Sequence, residues 1–211
     1  MKKLSKNQGI IIIGILFLAL IVAIFIAIYN NTHTSPKEVN QELKQYAKKH
    51  HIPSQGDKDA KHKMYVFTDF QCSYCYKYHE NEYKDVVKPM IEKGNVEYTE
   101  IHLPVINHRS HQFAQMTRAI SNTGHNDSFY QYSNEAYQHQ GIDKDPVTVL
   151  KRLHLDKKDE QDIIDAYQKH EDDEIDKKEI KDKFNVESTP TVFIDGKPIT
   201  KTEDIKTKLE K

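Results

Sequence analysis

The chain has 211 residues, 30% of them charged, a formal net charge of −1 and two cysteines. Such a length fits one soluble domain plus attachments. Lys2, Lys3 and Lys6 leave the remainder mildly acidic, without the basic stripe of a nucleic-acid binder.

Residues 9–29, GIIIIGILFLALIVAIFIAIY, carry no charge. At a helical rise of 1.5 Å per residue this run spans roughly 30 Å, the thickness of a bilayer core. A cleaved signal peptide has a shorter apolar run followed by a small-x-small site, and Ala23 and Ala27 lie inside the run rather than in that pattern. No cysteine lies nearby to carry a lipid. The run is therefore expected to be an uncleaved signal-anchor, residues 1–30 forming the cytoplasmic N-terminus and a single transmembrane helix. Lysines precede it and none follows until Lys37, which leaves the rest of the chain outside the cytoplasm. Disulfides persist there, and dithiol chemistry can be oxidising.

Residues 31–62 are expected to be a spacer and lead-in containing a short helix over KEVNQELKQYAKKHH. MYVFTDF (64–70) predicts a strand. A helix should start near Cys72, with Tyr76, His79, Tyr83, Val87 and Met90 on its apolar face. Pro89 should break or kink it. NVEYTEIHLPVI (95–106) predicts a second strand. Residues 107–184 predict helices, with Phe113, Met116 and Ile120 sharing one face and Phe129, Tyr132 and Ala136 another. Asp145-Pro146 predicts a helix start, an N-cap followed by proline. The acidic run EDDEID (171–176) lacks the spacing of a calcium loop and reads as a solvated helix face. TPTVFI (189–194) predicts a strand, Asp195-Gly196 a hairpin turn, and residues from about 202 a last helix. The pattern suggests an α/β sheet domain in two parts, 63–106 and 185–211, interrupted by a helical insertion over 107–184.

Cys72 and Cys75 sit between the first strand and the first helix of that domain. A staple across them would close a loop of four residues, worth only about 2 kcal/mol in the chain-entropy model. A structural metal site wants four ligands; His79 offers a third, and the remaining histidines are scattered. A reversible dithiol suits the placement. Unpaired N–H groups and the helix dipole at the N-terminus favour a Cys72 thiolate, and Cys75, one turn deeper, would resolve a mixed disulfide.

A lone C-x-x-C is a weak signal, but it does not stand alone here. VFTDFQCSYC resembles the active-site segment of DsbA-like thiol-disulfide oxidoreductases. STPTVFIDGKPI resembles their T-P-T-x-F-x-x-G hairpin, and LPVINHRSHQFAQ their entry into the helical insertion. The likeness covers about residues 56–211 and is closest to the membrane-anchored proteins of Gram-positive bacteria. It implies a thioredoxin fold with an inserted helical domain, Cys72 as the attacking cysteine and Cys75 as the resolving one. It implies a cis Pro190, with Thr189 presenting its backbone to an extended substrate beside Tyr74. Ser73, where the family often has proline, and Tyr74 would tune the redox potential and leave the direction of electron flow open.

The resulting expectation is a single-pass, extracytoplasmic oxidoreductase that donates a disulfide to reduced secreted or membrane proteins. It would work as a monomer with neither cofactor nor metal, and a quinone-linked DsbB-like membrane oxidase would recharge it. A reductase of the same fold and a membrane-tethered metal-binding module are the alternatives.

Overall fold

Apolar residues on both faces of HKMYVFT make strand β2 (His62–Thr68) the centre of the sheet, because such a strand must be covered on both sides. It pairs in parallel with β3 (Val96–His102) and antiparallel with β4 (Thr191–Ile194). Short edge strands β1 (Ser54–Gln55) and β5 (Lys197–Ile199) complete the order β1-β3-β2-β4-β5. The computed structural model describes residues 12, 14–25, 34–170 and 174–210. The charge-free run 9–29 lies partly outside these. Residues 14–25 are helical, and among the described residues no helix is long and apolar enough to cross a membrane.

Alternation along the strands sends side chains to two cores. Met64, Val66, Val96, Tyr98, Val192 and Ile194 face the first, which includes the helices that follow the cysteines and the inserted helices. These are α2 (Ser73–Tyr78), a π-helical segment (His79–Val87), α3 (Lys88–Glu92), α4 (His108–Asn122), α5 (Asn126–Gln138), α6 (Pro146–Lys151), α7 (Lys157–His170) and, at the C-terminus, α9 (Ile205–Leu209). Tyr65, Phe67, Ile101, Leu103 and Phe193 face the second, against α1 (Pro36–Lys49) and α8 (Lys177–Phe184).

Several expectations change in detail. The stretch expected as a spacer contains α1, whose Leu43 and Tyr46 are buried in the second core. Helix α8, expected within the insertion, packs beside α1 on that same face. Pro89 does not end the helix after the cysteines. It falls in the first turn of α3, where its missing N–H is tolerated, just beyond the wider π turns. Of the expected apolar face His79, Tyr83 and Val87 are buried, but in α2 the buried tyrosine is Tyr78 and not Tyr76. Strand β3 stops at His102 because Pro104 has no N–H for the ladder and the N–H groups of Val105 and Ile106 are taken by a side chain. Within the acidic run, residues 171–173 lie outside the described residues. Residues 174–176 are not helical, and Asp176 caps α8 by accepting from Glu179 N at 2.8 Å.

The β4–β5 turn is as expected from Asp195-Gly196. Both residues have positive φ, 53° and 76°, the geometry of a tight hairpin. A Cβ at position 196 would come within 1.7 Å of the Pro36 carbonyl oxygen, so the turn glycine also lets α1 begin against the hairpin.

Leu43 is fully buried. Leu43→Ala should cost about 2–5 kcal/mol in a denaturant titration of the folded chain. A loss below about 1 kcal/mol would mean that α1 is an appendage after all.

Candidate active site

Strand β2 runs into the turn Asp69-Phe70-Gln71, and Cys72 is the residue that caps α2. Its extended backbone (φ −83°, ψ 121°) places the sulfur at the helix start. Cys75, within α2, is fully buried; Cys72 is 6% exposed, and both are free thiols. The Thr189-Pro190 peptide is cis, and the Cys72 Sγ lies 3.4 Å from the Thr189 carbonyl oxygen, which accepts from it only while Cys72 is protonated. Two segments 117 residues apart in the sequence thus meet at one sulfur.

The two sulfurs are chemically unlike. The Cys72 thiol is held down to about 5, chiefly by a hydrogen bond from the Cys75 thiol. The backbone N–H groups of Cys75 and Tyr74 and the Thr189 hydroxyl add to this, against the opposing effect of burial. Burial and the bond it gives to Cys72 push Cys75 far above the ordinary thiol range. The helix-start N–H groups contribute as expected, and the partner sulfur, which the expectation did not include, adds the largest single effect. The arrangement provides one thiolate at neutral pH and one thiol that stays protonated until it is needed.

Asp69 organises the turn. Its carbonyl accepts from Cys72 N at 3.0 Å, and its N–H donates to Cys75 Sγ at 3.4 Å. Its buried carboxylate accepts from Gln71 N at 2.8 Å, Val105 N at 2.7 Å and Ile106 N at 3.0 Å. Gln140, just past α5, donates to the carbonyls of Phe70 at 2.8 Å and Cys72 at 3.1 Å. Neither residue was singled out in the sequence. The Asp in D-F-x-C-x-x-C was a usable signal for the first, and Gln140 had none.

The other expected site residues fall as follows. Thr189 and Pro190 are half-buried beside Cys72. Tyr74 is 68% exposed, with Lys77 Nζ over its ring at 5.5 Å, so it is available to a substrate. Ser73 is exposed next to it. His79 lies apart from the thiol chemistry, its ring nitrogens engaged by Asn134 at 2.8 Å and Glu80 at 3.2 Å.

The pH dependence of Cys72 follows in sign. Its folded pKa lies below the ordinary thiol value. Ionisation therefore stabilises the reduced fold above the unfolded value, and that contribution is lost as pH falls through about 5. Alkylation of the reduced protein should show a midpoint near pH 5 at Cys72 and spare Cys75 at neutral pH. Cys75→Ala should move the Cys72 midpoint upward. An unchanged midpoint would remove the thiol–thiolate bond as its main cause.

The model of a family described as thioredoxin matches residues 47–210. Among solved structures, oxidised BdbD from Bacillus subtilis superposes with a TM-score of 0.61 at 18% identity, covering 76% of this chain and 91% of that one. The thiol-disulfide exchange protein alpha-DsbA2 from Wolbachia pipientis gives 0.61 at 17% identity, covering 85% and 98%. MdbA, a thiol-disulfide oxidoreductase from Corynebacterium diphtheriae, gives 0.55 at 21% identity, covering 76% and 89%. Likeness at these identities is likeness of fold. No curated protein sequence matches the chain.

Proposed function

This chain belongs to the thioredoxin family and has the thioredoxin fold with a helical insertion, and we propose that it is a DsbA-type thiol-disulfide oxidoreductase that donates the Cys72–Cys75 disulfide to secreted or surface proteins. The observation that carries this reading is the opposed pair of thiols. At pH 7 a thiol with a pKa of about 5 is ionised roughly a hundredfold over. That favours the reduced protein by about 3 kcal/mol, on the order of 60 mV for a two-electron couple. A protein whose dithiol form is stabilised gives its disulfide away.

In the forward step a substrate thiolate attacks Cys72 Sγ of the disulfide. The Cys72–Cys75 bond breaks, its electron pair leaves on Cys75, and a mixed disulfide forms at Cys72. A second substrate thiolate then attacks the substrate sulfur of that mixed disulfide. The substrate leaves oxidised, and Cys72 departs as the stable thiolate. The Thr189 backbone beside Cys72 offers an edge for an extended substrate, and exposed Tyr74 flanks it.

The location we propose is the outer face of the cell membrane, with the run 9–29 as the anchor and a quinone-linked, DsbB-like membrane oxidase as the regenerating partner. The lysine bias supports the orientation. The described part of the run is helical, and Leu16, Phe17 and Phe25 on it stand more than half exposed, as they would if they faced lipid.

The purified protein should oxidise a reduced dithiol peptide, and Cys72→Ser should abolish this. Offered a disulfide-bonded peptide instead, the Cys72 thiolate of Cys75→Ser should attack it, release one peptide thiolate and accumulate the mixed disulfide that Cys75 would otherwise resolve. The potential, read by equilibration with glutathione, should lie well above the roughly −270 mV of thioredoxin. A value at or below it would assign the reductase instead. In intact cells a membrane-impermeant thiol reagent should label Cys72; labelling only after lysis would overturn the location.

A further inference from the structure

Helix α5 and the loop after it bring polar side chains onto the sheet domain. Ser133 Oγ donates to the buried Glu100 carboxyl at 3.0 Å, and Asn134 Oδ1 lies 2.8 Å from His79 Nε2. Gln140, two residues past the helix, reaches the cysteine turn itself. Its side-chain NH2 has two hydrogens, and each meets a carbonyl: Phe70 O at 2.8 Å and Cys72 O at 3.1 Å. Cys72 O also accepts the first backbone bond of α2, from Tyr76 N at 3.1 Å, and Phe70 O lies 3.3 Å from Gln71 Nε2. Gln140 is thus a second donor on each, and what it adds is geometry. One planar amide fixes the peptide units on both sides of Gln71. Cys72 is then held at both ends of its backbone: its N–H by the Asp69 carbonyl at 3.0 Å, its C=O by Gln140.

The loop that carries Gln140 is held by hydrogen bonds rather than by packing. Its apolar residue, Ile142, is 70% exposed. The Gln140 N–H donates to Tyr137 O at 3.1 Å, and the N–H groups of Ile142 and Asp143 both return to His139 O, at 2.9 and 3.1 Å. Gly141 turns the chain with a φ of 83° that a larger residue rarely adopts. Just past the turn the Asp143 carboxylate takes both Nε (2.8 Å) and Nη2 (3.3 Å) of Arg152, a bidentate pair that fixes the loop to the end of α6. The amide is therefore delivered to one place.

We propose that Gln140 is a positioning residue for the thiol chemistry: through this one amide the inserted helices hold the cysteine turn so that the N–H groups at the start of α2 converge on the Cys72 sulfur. This rests on the oxidoreductase reading above. Those N–H groups, of Tyr74 and Cys75, are among the causes that keep the Cys72 thiol low. Their aim at a sulfur on the capping residue depends on the peptide plane between Cys72 and Ser73, and Gln140 binds the carbonyl of that plane. The amide also draws on the partial negative charge of a carbonyl that belongs to the same residue as the sulfur. Both effects favour a thiolate. A disulfide sulfur carries no charge for them to act on. Gln140 therefore weights the couple toward the dithiol, the direction in which a protein gives its disulfide away.

The test uses the full-length protein with Gln140→Met, which keeps the length and volume of the side chain and removes both donors. Three quantities are read: the alkylation midpoint of Cys72, the equilibrium constant with glutathione at about pH 7, and the denaturation midpoints of the reduced and oxidised forms. The Cys72 midpoint should rise from about 5 by about half a unit to one unit. The equilibrium should move toward the disulfide by the matching factor of roughly three to ten. The reduced form should lose more stability than the oxidised form, because the two differences close one thermodynamic cycle. Gln140→Ala should move all three the same way, and carries the test alone if the methionine variant does not fold. Equal loss of stability in both forms, with the Cys72 midpoint and the glutathione equilibrium unchanged, makes Gln140 a structural residue and overturns the proposal. The oxidoreductase reading survives that result if the wild type exchanges its disulfide with glutathione. A wild type that exchanges none overturns both.

Discussion

The unequal sharing of a proton between Cys75 and Cys72 is the constraint on which the rest of the site depends. It requires Cys75 to keep its proton at a pH where Cys72 has lost its own. Two equivalent thiols in water would not divide the proton so unequally. Here burial does it: Cys75 is fully enclosed, which raises it, and its retained proton then lowers Cys72. The asymmetry comes from depth, and depth is set by one turn of α2 beneath a sulfur that caps it.

Depth has to be held rigidly to be useful, and the fold holds it through backbone bonds to two side chains. The Asp69 carboxylate gathers three backbone N–H groups from its own turn and from the loop after β3. The Gln140 amide reaches two carbonyls of the cysteine turn. Each satisfies groups that would otherwise be lost from strand or helix ladders, so the turn can be irregular without orphaned polar atoms. The apolar cost of the irregularity is visible at the loop: Val105 is 45% exposed and Ile106 53% exposed, both anchored through their own N–H groups.

Much of this was legible in the sequence where a local rule decides the outcome. Asp195-Gly196 demands positive φ at two residues, and Asp145-Pro146 caps a helix; both are found, with the Asp145 carboxylate accepting from Val147 N and Thr148 N. The apolar sets Phe113, Met116, Ile120 and Phe129, Tyr132, Ala136 are all buried. The misses come from tertiary context. Nothing local distinguishes a spacer helix from α1, because Leu43 and Tyr46 are buried only once β2, β4 and α8 are assembled beneath them. Within α2 the buried tyrosine is Tyr78 rather than Tyr76, while His79, Tyr83 and Val87 of the expected face are buried. Glu100 sat unremarked in a strand pattern, since its partners Thr68 and Ser133 lie 32 and 33 residues away.

The inserted helices read in sequence as an interruption of the sheet domain, yet they form one wall of its chemistry. Helix α5 brings Ser133, Asn134 and Tyr137 to a single region and leads into Gln140. Ser133 bonds Glu100, and Asn134 bonds His79, the residue one turn beyond Cys75. Tyr137 stacks on His79 at 4.7 Å and packs on Phe70 at 5.1 Å. Without α5 the carbonyls of Phe70 and Cys72 would lose the amide that binds both, and the first core that covers Cys75 would lose one side. Solvent reaching Cys75 would lower its pKa and weaken its claim on the shared proton. The strand-turn-helix supplies the two sulfurs, and the insertion keeps one of them dry, which is what makes them different.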